Sequence, residues 1–199
     1  MITNDEKVDN INPEVKKALD FAFMAHKEQP RKGTKVAYIV HILDVLKYLL
    51  YENVPTEVLV AGILHDTLED TDCTREDLMQ FGHEVVELVD FCSEPGNTFE
   101  VDRDNMRESW KKRKTHTIES LQKATRNQAM IILADKLSNI MCFREDQLAS
   151  MLDWKKFNAS KEDIEWYYRE LLNALTLVQD TRMYPAFKDA VEKVFDKNT

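Results

Sequence analysis

The chain has 199 residues, 43% of them hydrophobic and 32% charged, which suits one globular domain and excludes a low-complexity or disordered chain. Only four glycines and five prolines are present, too few for the many turns of a β-sandwich or barrel, so we expect an all-α fold. The net charge of −9 disfavours bulk binding to nucleic acid or to an anionic membrane, although a local basic pocket could still bind a small anion.

Cysteine usage and hydropathy favour a cytoplasmic protein. The three cysteines, Cys73, Cys92 and Cys142, are odd in number and form no CxxC pair, which is typical of free thiols in a reducing compartment. No run approaches the roughly 18 apolar residues that a membrane span needs. The polar, acidic N-terminus does not have the pattern of a secretion signal.

Apolar residues recur at helical spacing along most of the chain. The predicted helices cover about 13–28, 39–51, 56–68, 74–81, 83–92, 106–122, 127–141 and 160–180, followed by a last helix that Pro185 opens. The third is apolar on nearly every side, so we expect it to be the central buried helix. Residues 93–105 are predicted to form a loop, either a lid over a site or an inert connector. We predict one domain over 1–199, with its core at about 13–180 and a C-terminal helix to about 197.

Polar residues before the apolar runs locate three helix starts. Thr74 with Asp77, and Ser160 with Asp163, have the spacing of capping boxes, in which side chains satisfy the first free backbone N–H groups. Asn127 is the expected N-cap of the seventh helix.

An ionisable doublet lies near the end of the most apolar helix. His65 and Asp66 are adjacent there, and burying such groups is costly unless a partner compensates their charge. A metal ion is one such partner. Glu69 and Asp70 follow four residues later and therefore lie on the same helical faces. The pattern predicts two metal ligands one turn away from two acid/base groups.

Two further ionisable residues interrupt apolar runs. Asp135 is the acid within MIILADKL, and Asn139 lies one turn later on the same face. His41 lies among apolar residues at the start of the second helix. Taken singly, each has an ordinary explanation as a core histidine bonded to a carbonyl or an acid paired with a lysine. Together with the doublet they supply two imidazoles and two carboxylates, which suit Mn, Fe or Zn better than Mg or Ca.

This donor set indicates hydrolytic chemistry. A mixed His/Asp site with open positions binds a water and lowers its pKa, which gives a nucleophile at neutral pH. Glu69 or Asp70 could then position that water or protonate the leaving oxygen, a role typically worth about 10²–10⁴ in rate.

Two basic segments offer cations to an anionic substrate. Arg31 and Lys32 lie in the basic loop 30–37, and Arg113 and Lys114 end a run of four basic residues. Phosphoryl transfer needs such groups for charge neutralisation and positioning. A solvated basic helix face explains the second run nearly as well.

The order of these residues resembles a known family. His41, the doublet His65-Asp66 in AGILHDTLEDT, and Asp135 in ILADKLSNI are similar to the H…HD…D signature of HD-domain metal-dependent phosphohydrolases. The segments RKGTKVAYIVH and HDTLEDT further resemble the RelA/SpoT-type hydrolase branch, including its stand-alone small alarmone hydrolases. The similarity runs from about residue 21 to residue 143.

The resemblance implies an all-helical domain that hydrolyses the 3′-pyrophosphate of guanosine tetra- or pentaphosphate, usually with Mn²⁺. By position, the implied metal ligands are His41, His65, Asp66 and Asp135, the catalytic pair is Glu69 and Asp70, and the nucleotide contacts are Arg31, Lys32 and Asn139. Ala37 and Ile42 replace prolines that are common in the family, and Ser138 replaces a frequent histidine. None of the three is a ligand. The sequence contains no synthetase domain, so we expect a hydrolase only.

Two other functions stay open at this level. One is a different HD-type nucleotide phosphohydrolase, acting on adenosine 3′-diphosphates or on nucleotide phosphomonoesters. The other is an idle HD domain that senses a nucleotide. The intact ligand set and the Glu69-Asp70 pair argue against an idle domain, because such a domain has no need to keep costly buried charges. The sequence does not distinguish guanine from adenine, and it leaves the native metal and the oligomeric state unknown.

Overall fold

Helices form the regular structure of the residues that the computed structural model describes, 12–93 and 106–196. They are α1 (Pro13–Ala25), α2 (Ile39–Leu50), α3 (Thr56–Leu64), α4 (Thr67–Asp70), α5 (Arg75–Leu78), α6 (His83–Cys92), α7 (Met106–Leu121), α8 (Arg126–Leu148), α9 (Lys161–Ala174) and α10 (Met183–Phe195). Short 3₁₀ turns lie at Met79–Phe81, Trp154–Lys156 and Thr176–Val178. The two ranges contain no β-strand, which confirms the all-α prediction. None of the described helices has the length and apolar character needed to cross a membrane.

The longest helix, α8, packs against α2, α3, α6 and α10. Its N-terminus is fixed by a capping box, in which the side chains of Thr125 and Gln128 each bond the other's backbone N–H. The prediction that Asn127 caps this helix is therefore wrong, since Asn127 lies inside the first turn. Most residues from Ala129 to Ile140 are buried, so the first half of α8 crosses the core.

The most apolar helix, α3, is buried as predicted, but it ends at Leu64 instead of continuing to residue 68. Side chains form hydrogen bonds with the backbone carbonyls that would accept the next N–H groups of a longer helix. The His65 ring bonds the Gly62 carbonyl at 2.8 Å, and the Thr67 hydroxyl donates to the Leu64 carbonyl at 2.7 Å. The chain breaks at His65 and Asp66 before the single turn of α4.

Other helix ends follow their local capping chemistry. The Thr74–Asp77 capping box is present. Ser160 accepts the Asp163 N–H at 3.2 Å, but the Asp163 carboxylate also accepts two bonds from Arg107, at 2.6 and 2.9 Å. This pair of bonds ties α7 to α9, against which α7 packs. The helix that Ser160 caps ends at Ala174, short of the predicted 180, because a 3₁₀ turn follows.

Two remaining predictions concern the chain between α6 and α7 and the extent of the core. The predicted loop 93–105 lies outside the described residues apart from Ser93. Buried apolar residues from Val15 to Phe195 form one connected cluster, to which all the longer helices except α7 contribute several side chains.

Gly62 allows α3 to approach α2 closely. A Cβ atom at this position would lie 2.3 Å from Cδ1 of Leu49, whose side chain is fully buried. Alanine gains about 1 kcal/mol in helix propensity, but overpacking of a filled core typically costs about 1–3 kcal/mol. We expect Gly62→Ala to lower the free energy of unfolding, measured by urea denaturation. In a Leu49→Ala background the same change should be neutral or stabilising, and equal destabilisation in both backgrounds would contradict the packing argument.

Candidate metal centre and phosphate pocket

Four donor atoms converge from α2, α8 and the break between α3 and α4. The Nε2 atoms of His41 and His65 lie 3.3 Å apart. Oδ2 of Asp66 is 2.9 Å from His65 Nε2 and 3.6 Å from His41 Nε2. Oδ1 of Asp135 is 3.4 Å and 3.9 Å from the Nε2 atoms of His41 and His65. The structure thus brings together all four residues that the sequence marks as candidate ligands.

The outer nitrogen of each imidazole is held by a partner that orients the ring. His65 Nδ1 lies 2.8 Å from the Gly62 carbonyl, which can only accept, so Nδ1 carries the proton and Nε2 presents its lone pair to the cluster. His41 Nδ1 lies 2.9 Å from the Ser138 hydroxyl. Partners of this kind are typical of histidines that bind metals.

The charges of the cluster favour a cation at its centre. Burial alone lowers the pKa of His65, but the charge of Asp66 and the hydrogen bond to it outweigh burial and raise that pKa to about 9. Burial likewise raises the pKa of Asp135, yet the charge of Lys136 and the nearby histidines hold it well below the usual range. Two imidazole lone pairs, each within 4 Å of both carboxylates, need a shared positive charge. The donor set therefore fits a divalent metal ion.

Three further side chains fix the ligand carboxylates. Lys136 Nζ lies 2.5 Å from Asp135 Oδ2, and Asn139 Nδ2 donates to Asp135 Oδ1 at 2.6 Å. The Tyr38 hydroxyl donates to Asp66 Oδ2. Burial and the neighbouring Asp66 charge raise the pKa of Tyr38, so the phenol keeps its proton and remains a donor.

Tyr38 and Lys136 were not among the site residues identified from the sequence. Their positions held a signal, because Lys136 directly follows Asp135 and Tyr38 lies three residues before His41, in the preceding helical turn. That signal is weak without the fold, since many residues next to a candidate ligand point away from it.

The predicted acid/base pair lies at the mouth of the cluster. Glu69 and Asp70 are exposed residues of α4, and they line a cavity of about 160 Å³ together with Asp66 and Asp135. Partial burial of the Asp70 carboxyl group, within a residue that is exposed overall, and the charge of Asp66 raise the pKa of Asp70, while a 2.8 Å hydrogen bond from Gln29 Nε2 acts in the opposite direction. A carboxyl group with a raised pKa beside a metal site can serve as a general acid or base.

A larger pocket of about 630 Å³ adjoins this cavity and shares Tyr38, Asp70 and Asn139 with it. Its volume lies within the usual range of roughly 300–1,000 Å³ for small-molecule sites. All five residues that the sequence marked as nucleotide contacts line it: Arg31, Lys32, Arg113, Lys114 and Asn139. The other cations at its wall are Lys136 and Lys156, and the aromatic residues are Tyr38, Trp110, Phe143, Phe157, Tyr167 and Tyr168. The pocket therefore combines cations for phosphates with flat apolar surface.

The four basic residues 111–114 of α7 lie at two different parts of the surface. Arg113 and Lys114 line the large pocket, and Lys114 Nζ lies 5.2 Å from the centre of the Tyr167 ring. Lys111 and Lys112 are exposed and line a separate depression, and Lys111 Nζ also lies 5.0 Å from the centre of the Trp166 ring. The run therefore divides into pocket-lining and exposed residues, and its contact with phosphate stays a prediction.

Comparison with known proteins gives the relationship of this chain to other sequences. The family model described as HD domain matches residues 18–164. A guanosine-3′,5′-bis(diphosphate) 3′-pyrophosphohydrolase of Aquifex aeolicus is 32% identical over 161 residues, which are 77% of this chain and 20% of that protein. The mouse enzyme of the same name, MESH1, is 31% identical over 153 residues, which are 75% of this chain and 78% of that protein. The chain thus spans a fifth of the first relative and nearly four fifths of the second.

Solved structures share the fold. The structure of a metazoan ortholog of SpoT, described as hydrolysing ppGpp, has a TM-score of 0.74 and 22% identity, covering 92% of this chain and 97% of that one. A Listeria monocytogenes EGD-e protein has a TM-score of 0.68 and 28% identity, covering 80% of this chain and 96% of that one. The region that the family model matches contains every candidate ligand. The chain belongs to the HD domain family.

Proposed function

We propose that this chain is a divalent-metal-dependent hydrolase that removes the 3′-pyrophosphate from guanosine tetra- or pentaphosphate, giving pyrophosphate and GDP or GTP. The observation that carries the proposal is a cluster of two histidines and two aspartates, of which only Asp66 is partly exposed, next to a cation-lined pocket of about 630 Å³. Relatives whose names state this activity support it, because one of them matches this chain over 78% of its own length.

The distribution of charge suits a substrate with two diphosphate groups. The chain as a whole carries a net charge of −9, yet six cationic side chains line the large pocket, namely Arg31, Lys32, Arg113, Lys114, Lys136 and Lys156. A local concentration of positive charge in a cleft attracts an anionic ligand even when the whole protein is acidic. The aromatic side chains of the same pocket offer flat surfaces to a nucleobase.

Each part of the site has a distinct task in this reaction. A divalent ion, when bound, lowers the pKa of a water molecule and offsets negative charge on a phosphoryl oxygen. His41, His65, Asp66 and Asp135 would hold that ion. Glu69 and Asp70 would accept a proton from the attacking water or return one to the leaving oxygen. Arg113 and Lys114 would neutralise charge on the phosphates as the bond breaks.

The metal and the compartment follow from the same reasoning. We propose Mn²⁺ as the ion, because two imidazoles with two carboxylates suit the Mn, Fe and Zn group and the family resemblance implies manganese. We propose a cytoplasmic location and a small nucleotide as the only substrate class. Three free cysteines support a reducing compartment, and the acidic surface disfavours nucleic acid and anionic membranes.

Asp135→Ala should abolish both metal binding and hydrolysis, because it removes one donor atom and leaves Lys136 beside the cluster without its carboxylate partner. Elemental analysis of gently purified protein measures the metal. Asp189→Ala, which removes a surface acid paired with Lys193, is the matched control and should keep full metal content.

Metal affinity of the wild type should also fall as the pH is lowered, since the ion competes with a proton for His65, whose pKa is about 9. A wild type without metal that gains no activity from added Mn²⁺ would exclude the proposed centre.

Glu69→Gln and Asp70→Asn should separate catalysis from metal binding. Each change keeps shape and polarity but removes a basic carboxylate, so activity should fall by about 10²-fold or more. Metal content should stay near that of the wild type. Asp72→Asn, which changes an exposed acid just after α4, is the control and should leave activity unchanged. Loss of metal in the Glu69 or Asp70 variant would show that these groups are ligands or orient the ligands.

The products of hydrolysis distinguish the proposed reaction from its alternatives. Purified protein with Mn²⁺ and guanosine 3′,5′-bis(diphosphate) should yield GDP and pyrophosphate in equal amounts, with little orthophosphate, because the site acts only on the phosphorus that the pocket places in line. Orthophosphate as the main early product, or turnover of the adenosine analogue alone, would identify a different HD-type phosphohydrolase. Bound metal without turnover of any 3′-modified nucleotide would identify a sensor.

A further inference from the structure

Two hydrogen bonds connect a buried histidine to the candidate catalytic carboxylate. His26 is the C-cap of α1 and is only 3% exposed. Its Nδ1 lies 2.6 Å from Oε1 of Gln29. The same amide of Gln29 donates through Nε2 to Oδ2 of Asp70 at 2.8 Å. His26, Gln29 and Asp70 therefore form a continuous chain that begins in the core and ends at the site.

Elementary donor and acceptor chemistry sets the direction of this chain. The carboxylate of Asp70 accepts, so Gln29 must turn its NH₂ group towards Asp70 and its carbonyl towards His26. The carbonyl also accepts, so the proton of the His26 ring must be on Nδ1. Within residues 12–93 and 106–196, His26 Nε2 has no hydrogen-bond partner. An apolar residue at this buried position could not make the hydrogen bond to Gln29. This bond is therefore the specific contribution of a histidine here.

Asp70 depends on such an external partner because its own helix holds it weakly. The helix α4 has only four residues, and Asp70 is its last, exposed one. Packing therefore does not select one rotamer of this side chain. By contrast, Gln29 is fixed by its backbone, since its N–H donates to the His26 carbonyl and its carbonyl accepts from the Tyr38 N–H, both at 2.9 Å. The Gln29 amide thus reaches Asp70 from a backbone that is held independently of α4.

The His26 ring also supports the metal side of the site. It stacks on Tyr38 with ring centres 5.0 Å apart and planes inclined by 27°. Tyr38 in turn donates its hydroxyl proton to Asp66, a candidate ligand. The buried His26 ring thus contacts both Gln29, which bonds Asp70, and Tyr38, which bonds Asp66.

We propose that His26 and Gln29 are positioning residues that hold the Asp70 carboxylate in the orientation that hydrolysis needs. This inference rests on the proposed function, in which Asp70 exchanges a proton with the attacking water or the leaving oxygen. A catalytic group that is held in its reactive geometry avoids the cost of reaching it in each turnover. Loss of groups that orient reacting residues typically reduces activity by roughly 10- to 100-fold.

The steady-state test compares variants that keep or remove the chain. Gln29→Leu keeps the size of the side chain but removes the donor, so kcat should fall roughly 10-fold or more while KM and metal content stay near wild type. His26→Asn places an N–H near the position of Nδ1, whereas His26→Gln places it near Nε2. We therefore expect His26→Asn to retain clearly more activity than His26→Gln. Glu28→Gln, an exposed neighbour in the same turn, is the control and should behave as the wild type.

Two further measurements separate positioning from a general structural role. If both residues act through one chain, the double variant His26→Gln/Gln29→Leu should be no slower than the slower single variant, whereas independent effects would multiply. The ¹⁵N chemical shifts of the His26 ring should show the proton on Nδ1 in the wild type, and Gln29→Leu should weaken that preference. A proton on Nε2, a raised KM with unchanged kcat in Gln29→Leu, or equal activity of the two His26 variants would overturn the proposal.

The NMR measurement does not depend on turnover. A wild type that leaves guanosine 3′,5′-bis(diphosphate) intact would refute the proposed function, and the catalytic role of the chain with it. The ring tautomer would still show whether the hydrogen-bond chain itself exists. Normal wild-type turnover combined with fully active Gln29→Leu would refute only the positioning role.

Discussion

The rest of this structure depends on two imidazoles and two carboxylates that meet in its interior, each carboxylate lying within 4 Å of both imidazole Nε2 atoms. Such a group is unstable in a protein interior unless a cation lies among its donor atoms and other side chains hold those atoms in place. Every neighbour fits this requirement. The Gly62 carbonyl and the Ser138 hydroxyl hold the outer ring nitrogens, while Tyr38, Lys136 and Asn139 hold the carboxylates. The centre therefore determines the roles of residues on three helices and on the segment before α2.

The same requirement explains the local departures from regular helix. His65 can direct Nε2 at the centre because its Nδ1 takes a carbonyl of α3, and this bond helps to end α3 at Leu64. The following turn, α4, brings Glu69 and Asp70 to the rim of the centre, where solvent and substrate can reach them. The short α4 provides little packing, and Asp70 bonds Gln29, which in turn bonds His26, in the segment that follows α1. The exposure of the proposed catalytic pair and the bonds that hold Asp70 thus come from different elements.

Electrostatics divides the molecule into an acidic exterior and a basic pocket. The pocket draws its cations from the loop after α1, from α7, from α8 and from the 3₁₀ turn at Trp154–Lys156. These segments are far apart in sequence, so no single basic motif marks the site. The bidentate bond between Arg107 and Asp163 holds α7 on α9 and thereby keeps Arg113 and Lys114 at the pocket wall.

The sequence by itself determined the helical class and the identity of the donor residues, because ionisable side chains that interrupt apolar runs are visible without a structure, and their order matches a known family. It also placed most helix starts, since capping residues such as Thr74 act within one turn. Only the tertiary structure decided the break at His65-Asp66, the pocket-lining half of the α7 basic run, and the contacts of Tyr38, Lys136, Gln29 and His26. Those features arise from contacts such as Gln29–Asp70, 41 residues apart, and Tyr38–Asp66, 28 residues apart. Periodicity and spacing report only on neighbours within a few turns, so contacts at such separations have no local pattern from which to predict them.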